Sequence, residues 1–434
     1  MKKSMITLTV GLGLAFTASA SSLEVHGPDQ AFLERAAAYG IGPHNWDTGK
    51  SVRATFTNSY KFLKSHEIKN TTDYVHDLGK AKGFALDTLT ATDIDGEYPM
   101  SVILRDRLEF DALVILKDGQ LVDEYYWSGM ERGRIHQMNS VTKSFTAIML
   151  LQLVDEGKVD MSKPVSYYIP ELTDNPVWSK ATVEEAADMR SGVKINYDEG
   201  YLWDRKMTTI QEWNGPNTEY PEITSIVQYA DEVALSKEFE TGKVYDYQCI
   251  NTEMMGQIIV KVTGKNISEN LQERIWNKVG IEYPARMLIN ESEEGMASGG
   301  LVASTRDLAR MMDVLVNEGK NRKGDKVVST EFVEELLEGN EEVRTAWKNN
   351  QTESLISPKT WYKDQIRTFN LEDGSQFITF VGTNGQTAIG NPETGVVIAF
   401  NGAQDEYQAV RTVAMTYLDA VPTLLKAVEK VDMK

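Results

Sequence analysis

The alternation of apolar and polar positions is clearest between residues 111 and 127. The apolar run 112–116 is followed by Asp118-Gly119, and a second run from Leu121 extends to Trp127. Two such runs joined by an Asp-Gly pair are typical of antiparallel strands connected by a tight primed turn. This segment is therefore predicted to form a β-hairpin.

Helical patterns dominate the region after the hairpin. The apolar positions that follow Ser140 predict a buried helix ending at Gly157, and residues 251–263 and 304–318 are also predicted helices. Strands are predicted at 377–381, 387–390 and 395–400, followed by a last helix from Tyr407 to about Ala420. Strands near both ends of this region predict one sheet, with a mainly helical lobe inserted between its two halves.

The chain begins with a different pattern. Lys2 and Lys3 precede the apolar run 5–16 and the small residues 18–20, which is the pattern of a secretory signal peptide. No later stretch approaches the roughly 20 apolar residues of a membrane span. The single cysteine, Cys249, leaves neither a lipid-anchor cysteine nor an internal disulfide. We expect a periplasmic or secreted protein without a membrane span.

Residues 21–107 carry helix-like stretches at 29–38 and 53–66 but no catalytic motif, and they are predicted to be an N-terminal extension packed on the rest. The formal charge of -19 argues against a nucleic-acid partner. The five histidines show no ligand spacing, so neither a metal nor another cofactor is expected. The sequence carries no signal for an oligomeric state.

Ser140 and Lys143 form the candidate catalytic pair. Residues three apart on a helix lie on one face, so the lysine can reach the serine hydroxyl, which needs a base to become a nucleophile. The apolar neighbours Met138, Val141 and Phe145 are expected to lower the pKa of Lys143 towards neutrality by burial. The alternative is an N-cap serine followed by a solvated lysine.

Histidine is excluded as the base of a common serine triad. The histidines are His26, His44, His66, His76 and His136, and none follows Ser140. No Gly-x-Ser-x-Gly sequence occurs either, so the α/β-hydrolase order of serine, acid and histidine is absent. Lys143 remains as the base, and His136 is interpreted as structural.

Three segments resemble the active-site motifs of the serine β-lactamase and penicillin-binding-protein superfamily, in the same order and at similar spacing. They are Ser140-Val141-Thr142-Lys143, residues 247–253 beginning with Tyr247, and Gly382-Thr383-Asn384-Gly385-Gln386. The likeness spans about residues 108–420. It is strongest to the class C-like branch, which includes esterases, D-aminopeptidases and 6-aminohexanoate-dimer hydrolases.

The resemblance implies an α/β (α+β) fold in which helices flank an antiparallel sheet and a mainly helical lobe is inserted. The predicted divisions are a signal peptide (1–20), an extension (21–107), a hydrolase domain (108–420) and a C-terminal tail (421–434). Within the hydrolase domain, the sheet is expected from about 108–135 and 370–420, and the helical lobe from about 140–300.

The resemblance also implies roles for individual residues. Ser140 would form an acyl-enzyme, with Lys143 accepting its proton and Tyr247 passing a proton to the leaving group. The backbone N–H groups of Ser140 and Gln386 would hold the oxyanion. Substrate contacts are expected from the remaining motif positions, Cys249, Thr383, Asn384 and Gly385. Tyr245 is a nearby alternative for the tyrosine role.

Departures from the family pattern bear on the substrate. Thr383 stands where penicillin-recognising members have lysine, so an esterase or amidase acting on a small ester, amide or peptide-like molecule is favoured. A β-lactamase or D-Ala-D-Ala carboxypeptidase is the alternative within enzymes, and a catalytically inactive binding relative is the alternative of another class. Four tryptophans are candidates to wall the pocket: Trp203, Trp213, Trp347 and Trp361.

Overall fold

A computed structural model describes residues 23–195, 204–357, 359–371 and 374–433. The predicted signal peptide and Trp203 lie outside the described residues. Within them, strands and helices form two main antiparallel sheets surrounded by helices. None of the helices in these ranges has the length and apolar content that crossing a bilayer requires.

Sixteen strands occur in the described ranges. They are β1 (Val25–His26), β2 (Ser65–Ile68), β3 (Thr90–Asp93), β4 (Gly96–Pro99), β5 (Phe110–Lys117), β6 (Gln120–Tyr126), β7 (Ile135–Gln137), β8 (Val193–Lys194), β9 (Ala234–Leu235), β10 (Ala285–Leu288), β11 (Leu301–Ser304), β12 (Trp361–Lys363), β13 (Ile366–Asn370), β14 (Gln376–Gly382), β15 (Gln386–Asn391) and β16 (Val396–Gly402).

The α-helices of these ranges connect and cover the sheets. They are α1 (Gln30–Ala37), α2 (Val52–Thr55), α3 (Met100–Val102), α4 (Val141–Asp155), α5 (Val165–Tyr168), α6 (Val183–Ala187), α7 (Arg205–Ile210), α8 (Ile226–Glu232), α9 (Cys249–Thr263), α10 (Ile267–Leu271), α11 (Asn277–Val279), α12 (Thr305–Val316), α13 (Thr330–Glu338), α14 (Glu341–Asn349), α15 (Glu353–Ile356), α16 (Val410–Ala414) and α17 (Val421–Val428). Wider π-helical turns extend α3, α10 and α16 at Ile103–Arg107, Gln272–Trp276 and Met415–Ala420.

The larger sheet has seven antiparallel strands in the order β12-β13-β14-β15-β16-β5-β6. Strands from the two ends of the region 108–420 therefore meet, with β16 paired to β5, and α4 to α11 lie between them in the chain. The predicted fold class is confirmed: an antiparallel sheet is flanked by helices, and a mainly helical lobe is inserted.

Both faces of this sheet are buried, because alternate residues of its central strands enter two different cores. Val114 and Leu116 of β5 pack with α4, α9 and α12, whereas Leu113 and Ile115 pack on the opposite side with the C-terminal helix α17. Since side chains alternate across a strand, a strand buried on both faces reads as a continuous apolar run. That is why the sheet strands were visible in the sequence.

The local predictions in this region are confirmed. Asp118 and Gly119 both have positive φ (50° and 76°), as a primed turn between β5 and β6 requires. The three predicted helices correspond to α4, α9 and α12, and the three predicted strands to β14, β15 and β16. The last helical stretch continues past Ala420 through α17, because Val421, Leu424 and Val428 pack against the sheet.

A smaller sheet in the order β1-β2-β10-β11-β7 was not predicted. It forms partly from residues 53–66, for which the predicted continuous helix is wrong: α2 ends at Thr55 and β2 begins at Ser65. The spacing of Phe56, Tyr60 and Phe62 imitates a helical face, but β2 pairs with β10, more than 200 residues away in the chain. Tertiary pairing overrides the local pattern here.

Candidate active site

Ser140 lies at the start of α4, where a sharp turn presents its side chain. Asn139 before it has a left-handed backbone (φ 47°), and its side-chain amide donates to the carbonyl of Thr383 at 3.1 Å. The backbone N–H of Ser140 donates to no other described residue, so it is available to a ligand. The turn thus places a hydroxyl and a free N–H at a helix N-terminus, which favours negative charge nearby.

Lys143 is fully buried one helical turn further on. Its Nζ donates to the Ser140 Oγ at 3.0 Å and to the Ser298 carbonyl at 2.7 Å. The predicted serine–lysine contact is therefore present in the structure, and the alternative of a solvated lysine is wrong. The helix spacing brought these two side chains together, as expected for residues three apart.

The expected direction of the Lys143 pKa is wrong. Burial lowers this pKa, but the acidic groups of Cys249 and Tyr247 raise it by stabilising the ammonium, and the net pKa lies above its ordinary value. The sequence identified the apolar neighbours on α4 but not the acidic groups that face the amine from another element. Lys143 therefore carries its proton in the resting site.

The structure brings Tyr247, and not Tyr245, to the lysine. Tyr247 lies in the chain just before α9 begins, and the centroid of its ring is 5.2 Å from the Lys143 Nζ. Tyr245 is instead buried beside Trp347, at 4.8 Å between ring centroids, and its hydroxyl accepts a hydrogen bond from Arg367. Residues two apart lie on the same side of a straight extended segment. Tyr245 and Tyr247 are two apart, but their side chains lie in different environments here.

The third predicted motif forms the turn between β14 and β15, next to the start of α4. Gly382 packs so closely there that a Cβ atom on it would lie 3.2 Å from the backbone nitrogen of Val141. Gln386 opens β15 opposite Gly382, and its buried side-chain amide is fixed by Gly402 and Asn401. The backbones of the predicted oxyanion residues Ser140 and Gln386 thus belong to two segments in direct contact.

A cavity of about 100 Å³ opens beside the serine and lysine. Its wall includes Cys249, Thr383 and Asn384, three of the four predicted substrate contacts, while Gly385 is a left-handed turn residue (φ 87°) packed against Gln404. Of the four candidate tryptophans, Trp213 lines this cavity. Trp347 and Trp361 are buried away from it, in contact with Tyr245 and with α13 respectively.

Sequence reasoning missed one buried group that holds the site. The carboxylate of Glu253 on α9 accepts hydrogen bonds from the backbone nitrogens of Ala297 and Ser298, at 3.3 and 2.9 Å. These bonds fix the loop whose Ser298 carbonyl holds Lys143. Burial raises the pKa of Glu253, against the lowering effects of its hydrogen bonds and of the Lys143 charge. Glu253 lay within the second family-like segment, residues 247–253, which was the available signal.

Asp47 was also missed, because it belongs to the N-terminal segment that carries no motif. It lines the same cavity as Ser140, and its carboxylate accepts a hydrogen bond from the Trp213 indole at 2.6 Å. His136, by contrast, is fully buried in β7, with its Nδ1 3.0 Å from the Gln137 carbonyl. Burial lowers the pKa of His136 to about 4, so it is neutral at physiological pH.

Across the ranges that the structure describes, no group of three or more histidine, cysteine, aspartate or glutamate residues could hold an ion. The cavity wall holds the Ser140 hydroxyl, the Lys143 amine and the Cys249 thiol, and the Tyr247 phenol lies beside that amine.

A sequence profile of the beta-lactamase family matches residues 107–418, which include all three motifs and most of the described fold. The chain belongs to the beta-lactamase family. This confirms the resemblance on which the site residues were chosen. The N-terminal segment that contributes Asp47 precedes the matched region of this beta-lactamase-family protein.

Individual relatives indicate the branch of the beta-lactamase family. The 6-aminohexanoate-dimer hydrolase of Paenarthrobacter ureafaciens is 29% identical over 302 residues, covering 68% of this chain and 74% of that protein. A D-aminopeptidase of Gluconobacter oxydans is 27% identical over 39% of this chain and 31% of its own length. A solved Bacillus anthracis structure assigned as a 6-aminohexanoate-dimer hydrolase shares the fold, with a TM-score of 0.78, 24% identity, and coverage of 94% of this chain and all of that one.

Proposed function

We propose that this protein is an exported serine hydrolase that cleaves an amide or ester bond of a small molecule through an acyl-enzyme on Ser140. The observation that carries the proposal is the contact between the Ser140 hydroxyl and the buried Lys143 amine, with Tyr247 beside the same amine. The similarity to an amide-cleaving dimer hydrolase and to a D-aminopeptidase supports the amide class. Export rests on the signal-peptide pattern of residues 1–20.

The proposed reaction begins with attack of the Ser140 oxygen on the substrate carbonyl carbon. Because Lys143 holds its proton in the resting site, we assign the role of general base to the phenolate of Tyr247, beside the lysine, which takes the serine proton. The backbone N–H groups of Ser140 and Gln386 stabilise the oxyanion, each donor contributing about 3 kcal/mol.

Collapse of this intermediate breaks the bond to the amine or alcohol, which leaves with the proton from Tyr247. An acyl ester on Ser140 remains. Water then attacks its carbonyl carbon while Tyr247 takes the water proton, the bond to the Ser140 oxygen breaks, and the proton returns to that oxygen. The acid product is released and the resting enzyme is restored.

Amide and ester substrates are favoured over β-lactams by the charge of the third motif. Thr383 and Asn384 line the cavity and carry no positive charge that would pair with the carboxylate of a penicillin. A site lacking that cation loses a charge-assisted hydrogen bond to such a substrate. We therefore expect slow or absent β-lactam turnover beside measurable ester or amide cleavage.

The test uses a fluorophosphonate probe, which reacts with activated serines, together with substrate assays. We expect the purified wild type to be labelled at Ser140 and the Ser140→Ala variant to lose labelling. The matched control, Ser162→Ala at an exposed serine, should be labelled like the wild type. A p-nitrophenyl ester and a chromogenic β-lactam are assayed in parallel. Equal labelling of the wild type and Ser140→Ala would instead identify a catalytically inactive relative, and rapid β-lactam turnover without ester cleavage would reverse the substrate assignment.

A further inference from the structure

A second cavity, of about 400 Å³, lies at the smaller sheet and shares no lining residue with the cavity of Ser140. Its wall is built from three separate segments, within residues 57–67 of the N-terminal segment, 131–135 at the start of β7, and 284–286 at the start of β10. Residues 57–67 precede the region that the family profile matches. The cavity therefore exists because the N-terminal segment packs on the smaller sheet, and it is separate from the proposed catalytic residues.

Cations outnumber carboxylates in the wall of this second cavity. The cations are Lys61, Arg134 and Arg286, and the carboxylates are those of Glu67 and Glu131. The Glu67 carboxylate is already paired, with its Oε2 2.9 Å from the Arg286 Nη2. Glu131 is exposed, so water and salt screen its charge. The wall is therefore locally positive, in a protein whose formal charge is -19.

The Arg286 guanidinium has a donor that the protein leaves unused. Its Nη1 is buried and makes no hydrogen bond to any residue that the structure describes. The group is held in place by its ion pair with Glu67 and by the Tyr60 ring, whose centroid is 5.6 Å from the Arg286 Cζ. A buried donor without an acceptor costs free energy, and a ligand that supplies an acceptor there recovers it.

The other two cations of the wall have no anionic partner. The Arg134 guanidinium is held by neutral oxygens, since its Nη1 donates to the Gly129 carbonyl at 2.8 Å and its Nη2 to the Thr57 hydroxyl at 3.2 Å. The Lys61 Nζ lies 5.2 Å from the centroid of the Phe32 ring. Within the part of the chain that the structure describes, neither side chain forms an ion pair with a carboxylate. Both charges are therefore available to a ligand.

We propose that this second cavity is a binding site for a small anion, which it holds through a carboxylate or phosphate group contacted by Lys61, Arg134 and Arg286. The planar donors of a guanidinium match the oxygens of either group. A volume of about 400 Å³ is in the range of small-molecule pockets. The negative charge of the whole chain opposes the approach of a polyanion, whereas a small anion is held by short-range contacts to the three cations. The site does not depend on the proposed hydrolase activity.

The experiment measures anion binding to the full chain by isothermal titration calorimetry at neutral pH. Inorganic phosphate and glutarate are titrated separately, at a constant ionic strength set with sodium chloride. We expect saturable binding of at least one of them at a single site, and the anion that binds more tightly identifies a phosphate or a carboxylate as the preferred group. The Arg134→Gln and Lys61→Gln variants should each raise the Kd of that anion by at least about 10-fold, because each loses a charge-assisted contact.

Two controls separate a local site from general charge and from misfolding. Lys80→Gln removes the same charge from an exposed lysine of the N-terminal segment that does not line the cavity, and it should leave the Kd unchanged. Thermal unfolding without added anion is recorded for each variant. Arg134→Gln removes hydrogen bonds to Gly129 and Thr57, whereas the Lys61 amine makes no hydrogen bond to the described residues. Lys61→Gln therefore tests the site even if Arg134→Gln does not fold.

The outcomes decide the anion site independently of the hydrolase. Ser140→Ala should bind the anion with the Kd of the wild type, because Ser140 lines the other cavity. The absence of saturable binding of both anions by the folded wild type would overturn the proposal. So would a Kd that is the same in the wild type and in the folded Lys61→Gln variant, or one that Lys80→Gln raises as much as Lys61→Gln does.

Discussion

The contacts and the charge of the Lys143 amine are both set by its neighbours in the structure. It is fully buried, and its Nζ contacts the Ser140 hydroxyl and the Ser298 carbonyl. Neighbouring acidic groups keep its pKa above the ordinary value in spite of burial. The lysine therefore presents a positive charge and a hydrogen bond to the Ser140 hydroxyl, and both properties depend on its surroundings.

Ser140→Ala and Lys143→Ala are each expected to reduce kcat/KM on an ester substrate by at least about 10³-fold, because either change disables the same proposed catalytic unit. The double variant should be little worse than the more severe single one. Lys163→Ala, at a half-exposed lysine that does not line the cavity, is the matched control and should retain activity. A double variant whose defect equals the product of the single defects would show that the two residues act independently.

At the scale of elements, the turn between β5 and β6 determines how the first hairpin joins the sheet. Gly119 has a positive φ of 76°, and a Cβ atom there would overlap the Arg322 guanidinium. That guanidinium is not free to move, since its Nε donates to Asp313 on α12 at 2.7 Å. The turn is thus constrained both by its own backbone and by a helix that packs on the sheet.

Gly119→Ala is expected to lower the free energy of unfolding by about 2 kcal/mol or more. Left-handed strain accounts for about 1–2 kcal/mol of this loss, and displacement of Arg322 accounts for the remainder. Gly157→Ala is the matched control, because Gly157 has a similar φ of 69° but open space at its Cβ position. It should show the strain alone. Equal losses in urea denaturation of the two variants would contradict a contribution from Arg322.

At the scale of the whole molecule, the N-terminal segment is joined to the larger sheet by packing and by an ion pair. Arg53 of α2 forms an ion pair with Asp111 of β5, with 3.1 Å between Nε and Oδ1. Burial raises the pKa of the Asp111 carboxyl to about 6, although the Arg53 charge opposes this. The same segment supplies β1 and β2 to the smaller sheet and Asp47 to the cavity.

The Asp111 carboxyl predicts a pH dependence of stability. Its pKa in the folded state, about 6, exceeds the ordinary value of 3.8, so the folded protein holds this proton more tightly than the unfolded chain does. Stability from this group is therefore present at low pH and is lost as the pH rises from about 4 to about 6.

Asp111→Asn is expected to raise the free energy of unfolding at pH 7 by about 1–3 kcal/mol, since it removes the cost of ionising a buried carboxyl. The difference from the wild type should shrink as the pH approaches 4. Asp106→Asn is a matched control at a largely exposed aspartate and should change stability little. An Asp111→Asn protein that is less stable than the wild type at pH 7 would show that the Arg53 pair outweighs the burial cost.

The sequence by itself determined the features that depend on local geometry. The Asp118-Gly119 turn, the helix α4 and the strands buried on both faces leave regular apolar patterns, and helix spacing alone brings Lys143 to Ser140. The order of the three motifs was enough to place the chain in its family. These features need only the neighbours along the chain, or a pattern shared with relatives.

Only the tertiary structure decided the rest, because it depends on residues that are distant in the chain. The short strand β2 has no pattern of its own and forms by pairing with β10. The choice between Tyr247 and Tyr245, and the direction of the Lys143 pKa, follow from which groups surround the lysine amine in space. Asp47 enters the cavity because Trp46 packs against Trp213, more than 160 residues later. Contacts between such distant segments are set by packing of the whole molecule. They leave no periodic pattern in the local sequence from which they could be predicted.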